Sequence, residues 1–295
     1  MSQWRKLLRR GLVLLVLVVA AAIILGLRER PTPRDTFIVE RTDPEAIIQT
    51  HGSRILQADL LGENLRVVAD RQDTYRDGSL RLIDNVQITI ADRTDRNGFV
   101  LTGNEAIIDA GKSEVQLQGD VEMKSSNGLS ARTKSASYVD DGGVVHMPGS
   151  VNFEREDMNA AGQGAEYDRN HDILHLLDGA HVNLRNTSTH TRILSGSATL
   201  AQTAEYMGFV DRVKIDTGDQ QMTAERARIT TAGQGSLLET VNLINSATIR
   251  ATNPEPGGLS GMSARNIEID YADDGEAVNA ATLTDHAEVQ TVGPD

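Results

Sequence analysis

Apolar and polar residues alternate along most of this chain, in runs too short for helices. Val115-Gln-Leu117 and Val121-Glu-Met123 show the pattern. Val145-His-Met147, Val151-Asn-Phe153, Val182-Asn-Leu184, Val213-Lys-Ile215 and Val241-Asn-Leu243 repeat it. A period of two marks strands with one buried and one wet face. Asp77-Gly78, Asn97-Gly98, Asn127-Gly128, Asp140-Asp141-Gly142-Gly143 and Asp274-Gly275 punctuate the runs. Such pairs supply the positive φ angles of tight hairpins. The pattern predicts about fourteen to sixteen short antiparallel strands from Ile55 onward, two per repeat.

The repeat has a period of about thirty residues. Gly119, Gly149 and Gly179 mark it, each between two alternating runs. Phrases of small residues precede them, such as Leu101-Thr-Gly-Asn-Glu-Ala, Leu129-Ser-Ala-Arg and Met158-Asn-Ala-Ala-Gly. The phrase returns as Met222-Thr-Ala and Met262-Ser-Ala. Stacked units of this kind bury their apolar faces on one another, which suits a scaffold or conduit better than a single catalytic pocket. Pro254 to Gly258 breaks the last full unit.

The N-terminus follows a different pattern. Basic residues from Arg5 to Arg10 precede an uncharged run from Gly11 to Leu27. That run is close to the minimum of about 17 residues for a spanning helix, and the preceding charge orients residues 1–10 to the cytoplasm. A cleaved signal peptide is the competing reading. Against it, Ile23-Ile24-Leu25 extends the apolar run past Ala20-Ala21-Ala22. Residues 28–54 read as a linker. Within it, Asp43 and Pro44 are suited to cap and open one short helix. Residues 55–292 form the β domain.

Composition narrows the function. The chain has no cysteine, hence no disulfide and no site for lipid acylation. The first thirty residues carry net +5 and the whole chain −13, so the remainder is −18. An acidic domain repels phosphate backbones, which excludes nucleic acid as a partner. Aromatic residues make up only 3% of the chain, so the inner face is aliphatic.

Candidate chemistry is sparse. His171 and His175 would share a helix face, but on a strand residues four apart lie about 13 Å apart and cannot bind one ion. Asp140-Asp141 and Asp273-Asp274 precede glycines and read as turns. No nucleophile elbow, phosphate loop or calcium repeat is present. The chain reads as a non-enzyme with no metal or cofactor.

Ala165-Glu-Tyr167-Asp168 with Leu177-Asp-Gly179-Ala-His-Val182 resembles the OstA-like repeats of lipopolysaccharide transport proteins. Ala106-Ile-Ile-Asp109 with Leu117-Gln-Gly119-Asp-Val121 is a second copy. Joined to an uncleaved anchor, the pattern resembles the LptC family over about residues 1 to 290. The resemblance implies an all-β, open-ended antiparallel β-jellyroll preceded by one N-terminal transmembrane helix. It further implies a single-pass inner-membrane protein with its bulk in the periplasm. Such a protein takes lipopolysaccharide from the LptF/LptG-like periplasmic domains of an ABC transporter and passes it to a soluble LptA-like bridge protein.

On that reading the inward residues Leu117, Val121, Met123, Val145, Met147, Val151, Phe153, Val182, Leu184, Val213, Ile215 and Leu243 line a lipid groove. Alternation by itself requires only burial, so the same stripe also reads as plain core. Ala287, Val289 and Val292 would form an edge open to a partner strand. Two rival classes stand beside this one. The first is a membrane-anchored structural β-repeat scaffold without a lipid ligand. The second is an adhesin or carbohydrate-active β-helix, which the scarcity of aromatic platforms disfavours.

Overall fold

The computed structural model describes residues 43–58, 65–93, 96–109, 114–139, 142–156, 158–185, 190–232, 237–273, 275 and 277–293. The expected span at 11–27, the linker up to residue 42 and the Asp140-Asp141 turn lie outside these. Among the described residues no helix is long and apolar enough to cross a membrane.

The strands are β1 (Ile48–Ala58), β2 (Leu65–Thr74), β3 (Leu80–Ile90), β4 (Phe99–Asp109), β5 (Glu114–Ser125) and β6 (Ser130–Val139). Next come β7 (Val144–Arg155), β8 (Met158–Asp168), β9 (Ile173–Arg185), β10 (His190–Ser195) and β11 (Ser197–Ala201). The last are β12 (Tyr206–Asp216), β13 (Gln220–Ala232), β14 (Leu237–Ala251), β15 (Leu259–Tyr271), β16 (Val278–Thr284) and β17 (Glu288–Thr291). Each pairs antiparallel with its successor from β1 to β9. The strands β10 and β11 are two halves of one row, interrupted at Gly196 and held between β9 and β12. The meander continues through β15, against which β16 and β17 form one broken final row.

Each alternating run is half of a longer strand. Gly119, Gly149 and Gly179 lie inside β5, β7 and β9. Register slips near the middle of nearly every pair, as between Thr102 and Glu105 or Gln118 and Val121. Left-handed backbone marks the line: Asp84 and Asn85, Gly119 and Asp120, Asp211 and Arg212, Asn245 and Ser246, Asp285 and His286. Bulges bend and twist a sheet. A row of them folds this sheet over, so both strand halves bury the same face. In β5 that face is Val115 and Leu117 before the bend, Val121 and Met123 after it.

The short helix expected after Asp43 does not form. Asp43 accepts from the Glu45 amide at 2.9 Å, as a cap would, and from the Tyr75 hydroxyl at 2.7 Å. The chain makes only a turn at Pro44 and Glu45, and the Ile47 amide donates to the Thr74 carbonyl at 2.8 Å. Strand pairing overrides the capping signal, and β1 starts at Ile48 rather than Ile55.

Candidate functional site: the folded-over interior

One apolar row crosses the whole inner face. It runs Val67, Ile88, Leu101, Met123, Ala131, Phe153, Ala160 and Val182 through β9. It then continues through Ile193, Ile215, Met222, Ile249 and Met262 to Val289. Large residues on β5 and β7 face alanines on β6 and β8. The repeated small-residue phrase thus supplies the hollows into which neighbouring side chains fit, as close packing requires.

The two halves meet across this interior. Phe99, at the start of β4, lies edge-on to Tyr138, at the end of β6, with centroids 5.2 Å apart. The Arg169 guanidinium stands 5.7 Å over the Phe99 ring and donates to the Tyr138 hydroxyl at 3.4 Å. Further along, Asp172 joins the two rims. One of its oxygens accepts from Arg155 at 2.8 Å, Asn127 at 2.7 Å and Tyr167 at 3.1 Å. Arg155 also donates to the Gln202 side chain at 3.4 Å. The Arg155 and Asp172 side chains are 11% and 9% exposed, so this is a buried ion pair; both terminal nitrogens of Arg155 are hydrogen-bonded, and its Nε has no partner among the described residues. Burial pushes the Tyr167 hydroxyl above its ordinary pKa, with the Asp172 charge adding to the rise.

Beyond this clasp lies a cavity of about 400 Å³ between the two halves. Its walls are apolar where Leu174, Leu184, Ile215, Met222, Ile229 and Leu238 meet, and polar at Arg155, Glu156, Arg185 and Glu205. Burial also raises the pKa of Tyr271 on its wall.

All twelve expected groove residues face the interior, but they are not equivalent. Leu117, Val121, Met123, Val145, Met147, Val151, Phe153, Val182, Val213 and Leu243 are fully buried core. Only Leu184 and Ile215 line the cavity. The clasp residues Asn127, Arg155, Tyr167 and Asp172 were not singled out from sequence as a site. Their partners stand 45 positions apart for Asn127 and Asp172, which no thirty-residue period brings together. His171 pairs with Asp168 at 2.7 Å and His175 with Thr199 at 3.1 Å. Of the edge residues, Val289 sits in β17 at 62% exposure, Ala287 precedes that strand, and the Val292 amide donates to the Gly258 carbonyl at 2.9 Å.

Fold and interior together define an all-β antiparallel jellyroll built of repeats. The sequence profile described as "Lipopolysaccharide-assembly, LptC-related" matches residues 13–185. The chain belongs to that family, and its role lies in lipopolysaccharide transport. A solved structure, LptH from Pseudomonas aeruginosa, is described as the LptA-homologous periplasmic component of a conserved lipopolysaccharide transport device. It is 15% identical, with 38% of this chain and 80% of that chain covered and a TM-score of 0.34. No curated protein matches the chain.

Proposed function

We propose that this chain is a lipid-transfer component. It takes lipopolysaccharide from an inner-membrane ABC transporter with LptF/LptG-like periplasmic domains and passes it along its interior to a soluble LptA-like bridge protein. The continuous inner row from Val67 to Val289 is the observation that carries this reading. Burial of each acyl methylene contributes about 0.8 kcal/mol, so an aliphatic interior holds lipid without specific chemistry. Sugars and phosphates stay outside an acidic domain. Residues 11–27 anchor the chain as a single inner-membrane span, with the β domain in the periplasm.

Photo-crosslinkers test the path during active export. Those at Met123, Met147, Val151, Phe153 or Val182 trap lipopolysaccharide only in energised cells, and those at Glu122, Asn152 and Asn183 do not. Equal labelling of both sets rejects an interior path.

The two ends of the array have separate roles. The β1 edge lies nearest the anchor in sequence and faces the transporter. The β16–β17 edge pairs only with β15 among the described residues and receives the bridge protein by strand addition.

A further inference from the structure

We infer that lipid comes to rest in a compartment built mainly by the chain beyond Arg185, downstream of the segment that matches the family. This rests on the lipid-transfer reading above and says where in the chain the ligand is held.

The family match ends at residue 185, the last residue of β9. The far edge of β9 is not free there. It is taken by β10 from His190 to Ser195 and by β11 from Ala198 to Ala201. The chain thus adds its own strands where an open jellyroll would end, and the inner row continues into them.

The two parts of the interior differ in filling. Exposure does not separate them, since Leu117 and Val151 upstream and Ile193 and Leu243 downstream are all 0% exposed; what fills the upstream part is the contact of Phe99 with Tyr138 across the interior. The cavity lies downstream, with the Arg155–Asp172 pair on its border. Sixteen of its 24 lining residues follow Arg185. Met158, Met207 and Met222 are among the lining residues, and methionine is the apolar side chain that adapts best to irregular occupants.

Size and lining select the ligand class. A volume of about 400 Å³ is at the low end for small-molecule sites, which run from about 300 to 1,000 Å³. It has room for about one acyl chain of a glycolipid, with the sugar left outside. The upstream interior opens only in passage, and the downstream compartment retains the chain between transport cycles.

The test uses the full-length protein in cells, with photo-crosslinkers at Met222 or Ile229 downstream and at Met123 or Met147 upstream. Cells are energised, then depleted of ATP before irradiation. Lipopolysaccharide adducts are expected to persist at Met222 and Ile229 and to fall at least about five-fold, near 1 kcal/mol in occupancy, at Met123 and Met147. Equal persistence, or adducts held only upstream, overturns the inference while leaving lipid transfer intact. No adduct at any site in energised cells overturns lipid transfer itself, and this inference with it. A second variant guards against misfolding by the crosslinker. Leu238→Trp fills the compartment at a half-buried position. With its thermal midpoint unchanged, it should copurify with about five-fold less lipid, again near 1 kcal/mol. Undiminished lipid on that folded variant also overturns the inference.

Discussion

Phe99 and Tyr138 touch ring to ring at 5.2 Å although they stand at opposite ends of the two strands that flank β5, one on each rim of the sheet. Phe99 pairs with Ser125 and Tyr138 with Val115, the two ends of β5. Along an extended strand those ends would be roughly 33 Å apart. The contact is therefore a direct report of the fold-over that creates an interior. Replacing either ring with alanine should cost about 3–5 kcal/mol, as for buried aromatics generally. In a double-mutant cycle the pair should couple by about 0.5–1.5 kcal/mol in urea denaturation. Strict additivity would mean that the two rims do not meet in solution.

The clasp behaves differently from a surface ion pair. Arg155→Met leaves Asp172 buried without its cation, and Asp172→Leu leaves Arg155 in the same position. Each should destabilise the domain by about 3–5 kcal/mol, whereas replacing both with apolar residues should recover most of that loss. The check is equilibrium unfolding of the two single variants and the double. A double variant as unstable as the sum of the singles would remove the argument from buried charge.

Alkaline pH should weaken the fold through Tyr167. In the unfolded chain its hydroxyl loses its proton near the ordinary value of 10.0, and in the folded chain it holds the proton to higher pH. The folded state therefore binds more protons above that value, and stability falls as pH rises. Below it both states are protonated and the contribution is complete. Tyr167→Phe should lower stability at pH 8 by about 0.5–1.5 kcal/mol for the lost hydrogen bonds. It should also flatten the decline above about pH 10. A steeper alkaline decline in the variant would contradict the assignment.

The marker glycines look alike in sequence and differ in the structure. Gly119 has φ +76°, and a β-carbon there would lie 2.8 Å from the Asn104 side chain. Gly149 has no positive φ and open space around it. Gly119→Ala should cost about 1–3 kcal/mol, and Gly149→Ala should stay within about 0.5 kcal/mol of the parent. Thermal melts of the two variants separate a required bend from a tolerated one.

The C-terminal edge provides a test of polarity. Val289→Pro removes one backbone donor from β17 and obstructs strand addition. The variant should remain folded and bound to the transporter but lose the bridge protein in pull-downs. Loss of the transporter instead would reverse the proposed direction.

Alternation made the inward face legible. Period two assigns Val115, Leu117, Val121 and Met123 to one side, and that parity survives the bend at Gly119. Asp77-Gly78 and Asn127-Gly128 mark hairpins with positive φ at the glycine, a local property that sequence can carry, whereas Asn97-Gly98 adopts no positive φ and the expected turn chemistry fails there. The capping signal at Asp43 was real as a hydrogen bond and misleading as a helix, since pairing with Thr74 decides the backbone there. The clasp was not legible, because Arg155 and Gln202 are 47 positions apart and meet only after the sheet folds over. Nor was the cavity. Leu117 and Ile215 occupy equivalent alternating positions, and whether such a residue fills space or borders it depends on what stands opposite.

The central claim is that this interior carries lipid, and the most direct measurement is mass spectrometry of what the purified full-length protein retains. Extraction of the folded protein should release lipopolysaccharide with its acyl chains, at a level that drops in Leu238→Trp. A folded, clasped protein that yields no lipid from energised cells would contradict the account and leave a closed structural scaffold in its place.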